Sequence, residues 1–271
     1  MSQKEKAIAF QALHAKPGIF VIPNPWDAGS ARLLEHLGFA ALATTSAGFA
    51  FSMARPDGAM SRDETLANAQ AIVNATALPV SADLEGGFGP SPRDCAETIA
   101  LAAGVGLVGG SIEDATGDKG NPIFSLEAAA ERVRAAAETA RALAFPFMLT
   151  ARAENFLHGR PDIKDTVKRL QAFQQAGADV LYAPGLATVD DIRAVTSSVD
   201  RPVNFLMAGG LSVAELAKFG VKRVSVGGSL ARAALGALLG GGREMRERGT
   251  FAFADEAPSY GELTNIFSPR G

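Results

Sequence analysis

The stretch "PVSADLEGGFGP", residues 79–90, contains the pattern on which the fold depends. An apolar run ends in two acids, Asp83 and Glu85, and continues into glycines that permit a tight turn and a close approach of a ligand. Side chains two residues apart on a strand point the same way, so the two carboxylates crowd one face and repel each other. We therefore expect a buried strand, a loop open to ligand and a bound group that offsets this repulsion.

The same unit recurs along the chain. Apolar runs predict eight strands, at 18–24, 40–46, 78–85, 106–114, 146–154, 179–185, 202–208 and 223–228. Helical patterns follow them at 26–37, 61–76, 91–103, 125–144, 161–176, 187–198, 212–219 and 229–247. Continuous apolar strands that alternate with amphipathic helices predict a parallel sheet covered by helices. Eight such units in about 230 residues match a (β/α)8 TIM barrel, with a doubly wound open sheet as the alternative.

The chain carries no composition shift that would divide it. We expect one domain over residues 1–271, with a barrel core at about 18–247 and a C-terminal extension at 248–271. Ser61, Ser91 and Ser212 precede helical patterns as N-caps. The extension contains aromatic residues without clear periodicity, so it either covers the barrel or reaches a partner chain.

Composition excludes several classes of function. Of the 271 residues, 47% are hydrophobic and 20% are charged, and the formal net charge of -3 argues against a nucleic-acid surface. No apolar window has the length of a membrane span, and the N-terminus lacks the apolar core of a signal peptide. The single cysteine, Cys95, forms neither an internal disulfide nor a metal motif. We expect a cytoplasmic protein that binds neither nucleic acid nor membrane.

Acidic side chains gather at the predicted strand ends, where barrels of this kind place their active sites. The acids are Asp83, Glu85, Glu113, Asp114 and Glu154, with Asp57 in a nearby loop. Ser46 and Arg152 lie at strand ends beside them. Carboxylates without histidine or cysteine suit a hard cation such as Mg²⁺ or Mn²⁺. The alternative is that these acids are helix caps or partners of surface arginines.

Two further groups are candidates for binding anions. Arg152 can clamp a carboxylate or phosphate in a bidentate manner, or can pair with Glu113 or Glu154. A rival phosphate site lies in the glycines after the last two strands, Gly209, Gly210, Gly227 and Gly228, followed by Ser229. These glycines are equally typical of ordinary tight turns.

Several motifs resemble the isocitrate lyase/phosphoenolpyruvate mutase superfamily: "PNPWDAGSARLLEHLGF", "TTSAGF", "PVSADLEGGFG", "SIEDATGDKGN" and "LTARAENFLHGRPD". They occur in order between about residue 18 and residue 230. The resemblance implies a (β/α)8 barrel whose last helix is exchanged between subunits, giving a homodimer or homotetramer. It also implies a Mg²⁺-dependent site for a small 2-oxo-carboxylate or enolpyruvate ligand.

The resemblance implies roles for individual residues. Asp83 corresponds to the direct Mg²⁺ ligand, and the acids that hold its waters correspond to Asp57, Glu85 and Glu113. Substrate carboxylate would bind at Ser46, Ala47 and Gly48, and Arg152 would clamp the oxo acid. Glu85 departs from the commoner Asp-x-Asp pattern by one methylene group, which a water-mediated contact absorbs.

The resemblance also bears on the reaction. Lyase branches carry a cysteine after the fourth strand and a glutamate after the sixth, whereas this chain has neither there, reading "YAPGL" at the latter. Lys119 and Asn121 match the gating loop of phosphonomutases and phosphonopyruvate hydrolases, and Asn204 is a further candidate for the barrel mouth. We expect an enzyme that makes or breaks a P–C or C–C bond through a pyruvate enolate. The alternatives are an oxaloacetate decarboxylase, a substituted-malate lyase and a non-catalytic 2-oxo-acid sensor.

Overall fold

Eight short parallel strands form one sheet in the computed structural model, which describes residues 1–207 and 210–268. The strands are β1 (Phe20–Ile22), β2 (Leu42–Ala43), β3 (Val80–Asp83), β4 (Gly109–Glu113), β5 (Met148–Arg152), β6 (Val180–Tyr182), β7 (Val203–Leu206) and β8 (Arg223–Ser225). They pair in the order β1-β8-β7-β6-β5-β4-β3-β2. The amide of Ala43 donates to Pro23 O at 3.1 Å, which joins the two ends of this order. The predicted (β/α)8 barrel is therefore confirmed, and the doubly wound alternative, which requires open edges, is wrong.

Helices follow the strands at the eight predicted positions, and three further α-helices lie at Gln3–Ala15, Ser46–Ser52 and Tyr260–Phe267. In chain order the helices are α1 (Gln3–Ala15), α2 (Ala28–His36), α3 (Ser46–Ser52), α4 (Arg62–Ala75), α5 (Pro92–Gly104), α6 (Leu126–Arg141), α7 (Ile163–Ala176), α8 (Val189–Thr196), α9 (Val213–Lys218), α10 (Ser229–Arg248) and α11 (Tyr260–Phe267). Ser61, Ser91 and Ser212 each form a capping box with an acid three residues later, so these predicted caps are confirmed. The main hydrophobic core lies between the strands and these helices.

Helix α1 lies before the eight predicted units, and it closes the amino-terminal end of the barrel, a role that the sequence did not predict. Phe10 on α1 is fully buried and packs in one cluster with Val108, Met148 and Val180, which lie where β4, β5 and β6 begin. Lys6 fixes the helix to the neighbouring loop by donating from Nζ to Thr76 O at 2.8 Å. A barrel end without such a cover would expose apolar side chains to water, so α1 completes the core.

The C-terminal region leaves the barrel along α10. Leu238 on this helix is 69% exposed and Tyr260 on α11 is 89% exposed. Helix α11 contacts α2, where Arg32 Nη2 donates to Ile266 O at 2.9 Å. Within residues 1–207 and 210–268, no helix combines the length and apolar character that a membrane crossing requires.

Candidate active site

Arg152, the last residue of β5, lies at the centre of an acidic cluster. Its Nη1 is 2.8 Å from Asp83 Oδ1, and its Nη2 is 3.2 Å from Glu113 Oε2. Its Nε lies 2.8 Å from Glu154 Oε1. Burial works to lower the pKa of Arg152, but the three carboxylates raise it well above its usual value. Every nitrogen of this guanidinium therefore has a carboxylate partner.

Asp83 ends β3 with its carboxylate close to backbone N–H groups. Glu85 N donates to Oδ1 at 3.3 Å, and Ser46 N lies 3.5 Å from Oδ2. The N–H of Asp83 donates to Thr44 Oγ1 at 3.0 Å, which holds the ends of β2 and β3 together. Asp83 thus presents its carboxylate between Arg152 and the start of α3.

Glu85 has an unusual backbone conformation and an unusual carboxyl environment. Its φ of 48° lies in the left-handed region, which is strained for a residue other than glycine. Its Oε1 is buried without a hydrogen-bond partner. Burial, followed by the charges of Asp83 and Asp57, raises the pKa of Glu85 to about 7, although Arg152 opposes the shift. A cation or its bound water in this cluster would satisfy the orphaned oxygen.

The acid cluster fits a hydrated hard cation. Burial raises the pKa of Glu113 well above its usual range even though Arg152 favours the charged form. Within the described ranges, no three Asp, Glu, His or Cys side chains converge closely enough to enclose a metal ion. Magnesium retains several waters and needs only one or two carboxylates, so the residues present fit Mg²⁺ held largely through water.

A second ion pair supports the cluster from behind. Asp114 accepts from Glu154 N at 2.8 Å and from Arg169 Nη1 at 3.0 Å. Burial raises the pKa of Asp114 to about 6, although these two donors oppose the shift. Asp114 therefore joins the ends of β4 and β5 to α7, which carries Arg169.

The glycine loop after Glu85 is held by Arg132 from α6. Arg132 Nη2 donates to Gly86 O and Nη1 donates to Gly89 O at 2.8 Å. Glycine is required at Gly87, because its φ is 78° and an added Cβ would lie 2.8 Å from Cys95 Sγ. These contacts fix the loop in which Glu85 takes its strained conformation.

A cavity of about 200 Å³ opens at the carboxyl ends of the strands. Six of the predicted site residues line it: Ser46, Ala47, Asp57, Asp83, Arg152 and Asn204. Glu85 and Glu113 are not among the residues that line the cavity, but Glu113 pairs with Arg152, which lines it. Gly48 also lies outside the lining, and its N–H caps the first turn of α3 by donating to Thr45 Oγ1 at 3.3 Å.

Lys119 and Asn121 lie in an exposed loop between β4 and α6 and are not part of the cavity lining. Asn121 O accepts from Thr116 Oγ1 at 2.5 Å, and Ala115 pairs with Ile123 across the base of this loop. The loop thus forms a small hairpin. The roles predicted for Lys119 and Asn121 stay predictions.

In the rival phosphate site, some of the backbone N–H groups already donate to a side chain of the protein. Val226 N and Gly227 N both donate to Asn24 Oδ1 at 2.9 Å. Gly227 and Gly228 line the cavity, while Gly209 lies outside the described residues. The amides of this turn therefore mainly hold β1 to β8.

Sequence reasoning predicted Asn204 but missed other polar residues inside the barrel, among them Tyr182, Thr150 and Arg223. Tyr182 stands beside Arg152 in the register of β6 and β5, and the Arg152 guanidinium carbon lies 5.3 Å from the Tyr182 ring centroid. Burial raises the pKa of Tyr182, so its hydroxyl stays protonated at neutral pH. Thr150 and Arg223 line the same cavity. Alternation along the strands could have identified them, because Thr150 lies two residues before Arg152 and faces the same side.

Comparison with known proteins agrees with this fold. The family model described as phosphoenolpyruvate phosphomutase matches residues 10–246. A candidate lyase/mutase from Burkholderia cenocepacia J2315 is 57% identical in its crystal structure, with a TM-score of 0.97, over 98% of this chain and 97% of that chain. Phosphonopyruvate hydrolase, solved with oxalate and Mg²⁺, has the same fold at 24% identity, with a TM-score of 0.87 over 98% and 95% of the two chains.

Curated relatives give a consistent result. An uncharacterised protein of Mycobacterium tuberculosis H37Rv is 31% identical over 222 residues, which is 81% of this chain and 82% of that protein. The 2-methylisocitrate lyase of Halalkalibacterium halodurans is 28% identical over 239 residues, covering 86% of this chain and 74% of that enzyme. The chain therefore belongs to the phosphoenolpyruvate phosphomutase family, within the isocitrate lyase/phosphoenolpyruvate mutase superfamily.

Proposed function

We propose that this protein is a Mg²⁺-dependent enzyme that acts on a 2-oxo-carboxylate or enolpyruvate substrate and makes or breaks a P–C or C–C bond. The observation that carries the proposal is the pairing of Arg152 with Asp83 and Glu113, beside the orphaned carboxyl oxygen of Glu85. Membership of a family of mutases and lyases supports it, as does the Mg²⁺–oxalate complex of the related hydrolase. Mn²⁺ is an alternative ion for the same oxygen donors.

The residues divide into two roles. Asp83 would hold the metal directly, and Asp57, Glu85 and Glu113 would hold its waters. Mg²⁺, when bound, supplies Lewis-acid stabilisation of negative charge on an enolate oxygen. Arg152 lines the cavity and donates N–H groups to substrate oxygens, and the backbone at Ser46 and Ala47 adds neutral donors.

The residues present favour a phosphonomutase or phosphonopyruvate hydrolase over a 2-methylisocitrate lyase. The resemblance described above implies a cysteine after the fourth strand and a glutamate after the sixth in such lyases. In this chain Cys95 lies in α5 and Pro184 follows β6 at the cavity. Tyr182 lines the same cavity, and its hydroxyl, protonated at neutral pH because burial raises its pKa, can donate a hydrogen bond to a substrate oxygen.

A decarboxylase acting on oxaloacetate or a lyase acting on substituted malates is the second candidate. The positions of Lys119 and Asn121 favour this second candidate. These two residues were expected to contact a migrating phosphoryl group, but they do not line the cavity. A barrel that binds a 2-oxo acid without turnover would use the same donors.

The deciding experiment measures binding and turnover together. We expect wild-type protein to bind oxalate only with Mg²⁺ and to convert one of phosphonopyruvate, oxaloacetate or a substituted malate. The product to measure is phosphoenolpyruvate for a mutase and pyruvate for a hydrolase, decarboxylase or lyase. Asp83→Ala should abolish both, whereas Asp190→Ala, an identical change at an exposed acid on α8, should preserve both. Unchanged Mg²⁺-dependent oxalate binding in Asp83→Ala would disprove the metal assignment. Oxalate binding without conversion of any acid in the panel to pyruvate or phosphoenolpyruvate would favour the sensor.

We also propose that the chain assembles as a dimer or tetramer through α10. This helix carries exposed Leu238, Leu239 and Met245, and such a row of large apolar side chains is typical of a helix that packs on a partner.

A further inference from the structure

The interior of this barrel contains polar residues where such barrels usually hold bulky branched side chains. One layer below the acid cluster, the cavity is lined by the small or polar residues Ser81, Ser111, Thr150, Asn204 and Ser225, together with Arg223. Thr150 precedes Arg152 by two residues on β5, which places this layer about 6.6 Å deeper along the strand. The cavity therefore extends from the acid cluster into the barrel.

Arg223 crosses this layer and is held from three directions. Nε donates to Asn204 Oδ1 at 2.7 Å, and Nη2 donates to Thr150 Oγ1 at 3.1 Å. Nη1 lies 3.3 Å from His14 Nε2. His14 Nδ1 lies 2.9 Å from Phe10 O, which accepts only, so Nδ1 carries the proton and Nε2 is the acceptor for Arg223. All three partners of the guanidinium are neutral.

No carboxylate of the described residues forms an ion pair with Arg223. The residue is only 6% exposed, so its charge is removed from water as well. Burial lowers the pKa of Arg223 to about 10, with a small opposing effect of Tyr182, and the group is still charged at neutral pH. A buried charge without a counter-charge is strongly unfavourable, so a chain that retains one gains by binding an anion.

The hydrogen-bond inventory leads to the same conclusion. An arginine has five N–H groups, and Arg223 uses three of them in the contacts above, which leaves two without a protein acceptor in the described residues. Two arginines line the cavity, Arg152 and Arg223. The charge of Arg152 is balanced by three carboxylates, whereas the charge of Arg223 is balanced by none among the described residues.

We propose that Arg223, oriented by Thr150 and Asn204, forms an anion-binding floor that takes the second carboxylate of a dicarboxylic substrate. This proposal rests on the proposed function, because the first carboxylate and its neighbouring oxygen would bind at the acid cluster above. A guanidinium recognises a planar carboxylate well, and the depth of the cavity separates the two anionic ends of the substrate. The proposal narrows the substrate to an acid with two carboxylates, and so selects the second candidate of the proposed function, an oxaloacetate decarboxylase or substituted-malate lyase, over a phosphonomutase or phosphonopyruvate hydrolase.

The first test measures anion binding at Arg223 in the absence of metal ions. In EDTA, the binding of formate is measured by calorimetry in wild-type protein, Arg223→Met and Lys222→Met. The lysine variant removes the same charge from the adjacent residue, whose Nζ donates to Gly18 O outside the cavity. We expect Arg223→Met to bind formate at least about tenfold more weakly, because charge-assisted hydrogen bonds are lost, and Lys222→Met to match wild type. No formate binding by wild type, or equal binding by Arg223→Met, would overturn the proposal.

A second variant covers the possibility that Arg223→Met does not fold. Asn204→Asp keeps the shape of the side chain and places a carboxylate at the acceptor that is 2.7 Å from Arg223 Nε. The internal ion pair then competes with the ligand, so formate affinity should fall at least about tenfold without a loss of stability. A folded Asn204→Asp protein that binds formate as wild type does would contradict the floor.

The third measurement separates this proposal from the proposed function. With Mg²⁺, malate and 2-hydroxybutyrate differ mainly in the second carboxylate, and we expect wild type to bind malate at least about tenfold more tightly. Arg223→Met should lose this preference and keep Mg²⁺-dependent oxalate binding. If Arg223→Met keeps both the Mg²⁺-dependent binding of oxalate and the preference for malate, the proposed floor is wrong and the proposed function stands. If wild type shows no Mg²⁺-dependent oxalate binding, the proposed function fails, and the formate experiment alone decides the floor.

Discussion

Glu113 and Arg152 are register partners on β4 and β5, and their side chains meet at 3.2 Å between Oε2 and Nη2. Their pairing follows from barrel closure, since adjacent parallel strands bring their carboxyl ends to one edge. The same edge brings Asp83 to the opposite nitrogen of the guanidinium at 2.8 Å. One arginine therefore holds several carboxylates that would otherwise repel each other.

Arg152→Met should destabilise the protein at neutral pH by about 3–5 kcal/mol, because it leaves buried carboxylates without a counter-charge. Urea unfolding in EDTA measures the free energy of unfolding. The matched control is Arg55→Met, whose partner Glu64 lies at the surface, and it should change stability by about 0–1 kcal/mol. Equal losses in the two variants would show that the acid cluster does not depend on Arg152.

Glu85 should make the metal-free protein less stable as the pH rises. Its pKa is raised to about 7 in the folded state, from 4.5 in the ordinary carboxyl group. The folded state therefore binds more protons than the unfolded state between these values, and the free energy of unfolding falls across this range. Glu85→Gln removes the contribution, so its stability should decline less than that of wild type.

Urea unfolding in EDTA at about pH 4.5 and about pH 7 provides the comparison, and the difference between the two proteins is the quantity to follow. The pKa of Asp114 is also raised, to about 6, and this lowers the stability of wild type and of Glu85→Gln alike as the pH rises. Its effect therefore cancels in the difference between the two proteins. Identical pH slopes for wild type and Glu85→Gln would rule out a raised pKa at Glu85.

Phe10→Ala should lower the free energy of unfolding by about 3–5 kcal/mol, because it leaves a cavity in the cluster that closes the amino-terminal end of the barrel. Ile8→Ala on the exposed face of the same helix is the matched control, with an expected change within about 0.5 kcal/mol. Denaturant unfolding measures both. A small effect at Phe10 would mean that α1 is not part of the folded core.

Leu238→Glu should shift the protein to smaller assemblies, since it places a charge on the exposed apolar face of α10. Sedimentation velocity measures the change directly. Leu101→Glu, on the exposed side of α5, introduces the same charge elsewhere and should leave the assembly intact. A monomeric wild-type protein would contradict the proposed role of α10.

Much of the architecture could be predicted from local sequence signals. The strand and helix pattern predicted the barrel because alternation of buried strands and capped helices depends mainly on near neighbours in the chain. The cavity residues Asp83 and Arg152 were predicted for a similar reason, since strand ends of a parallel barrel must meet at one edge. The role of helix α1 was missed because its few buried residues show their purpose only against the closed barrel.

The sequence by itself determined which residue types stand at the strand ends, and so the acidic and hydrogen-bonding character of the site. Only the tertiary structure decided which of them meet. Arg223 contacts His14 across 209 positions of the chain and Thr150 across 73, and neither contact follows from a local pattern. Such contacts depend on strand stagger and barrel closure, which are set by packing over the whole molecule. The charge balance of the cavity is therefore a property of the fold.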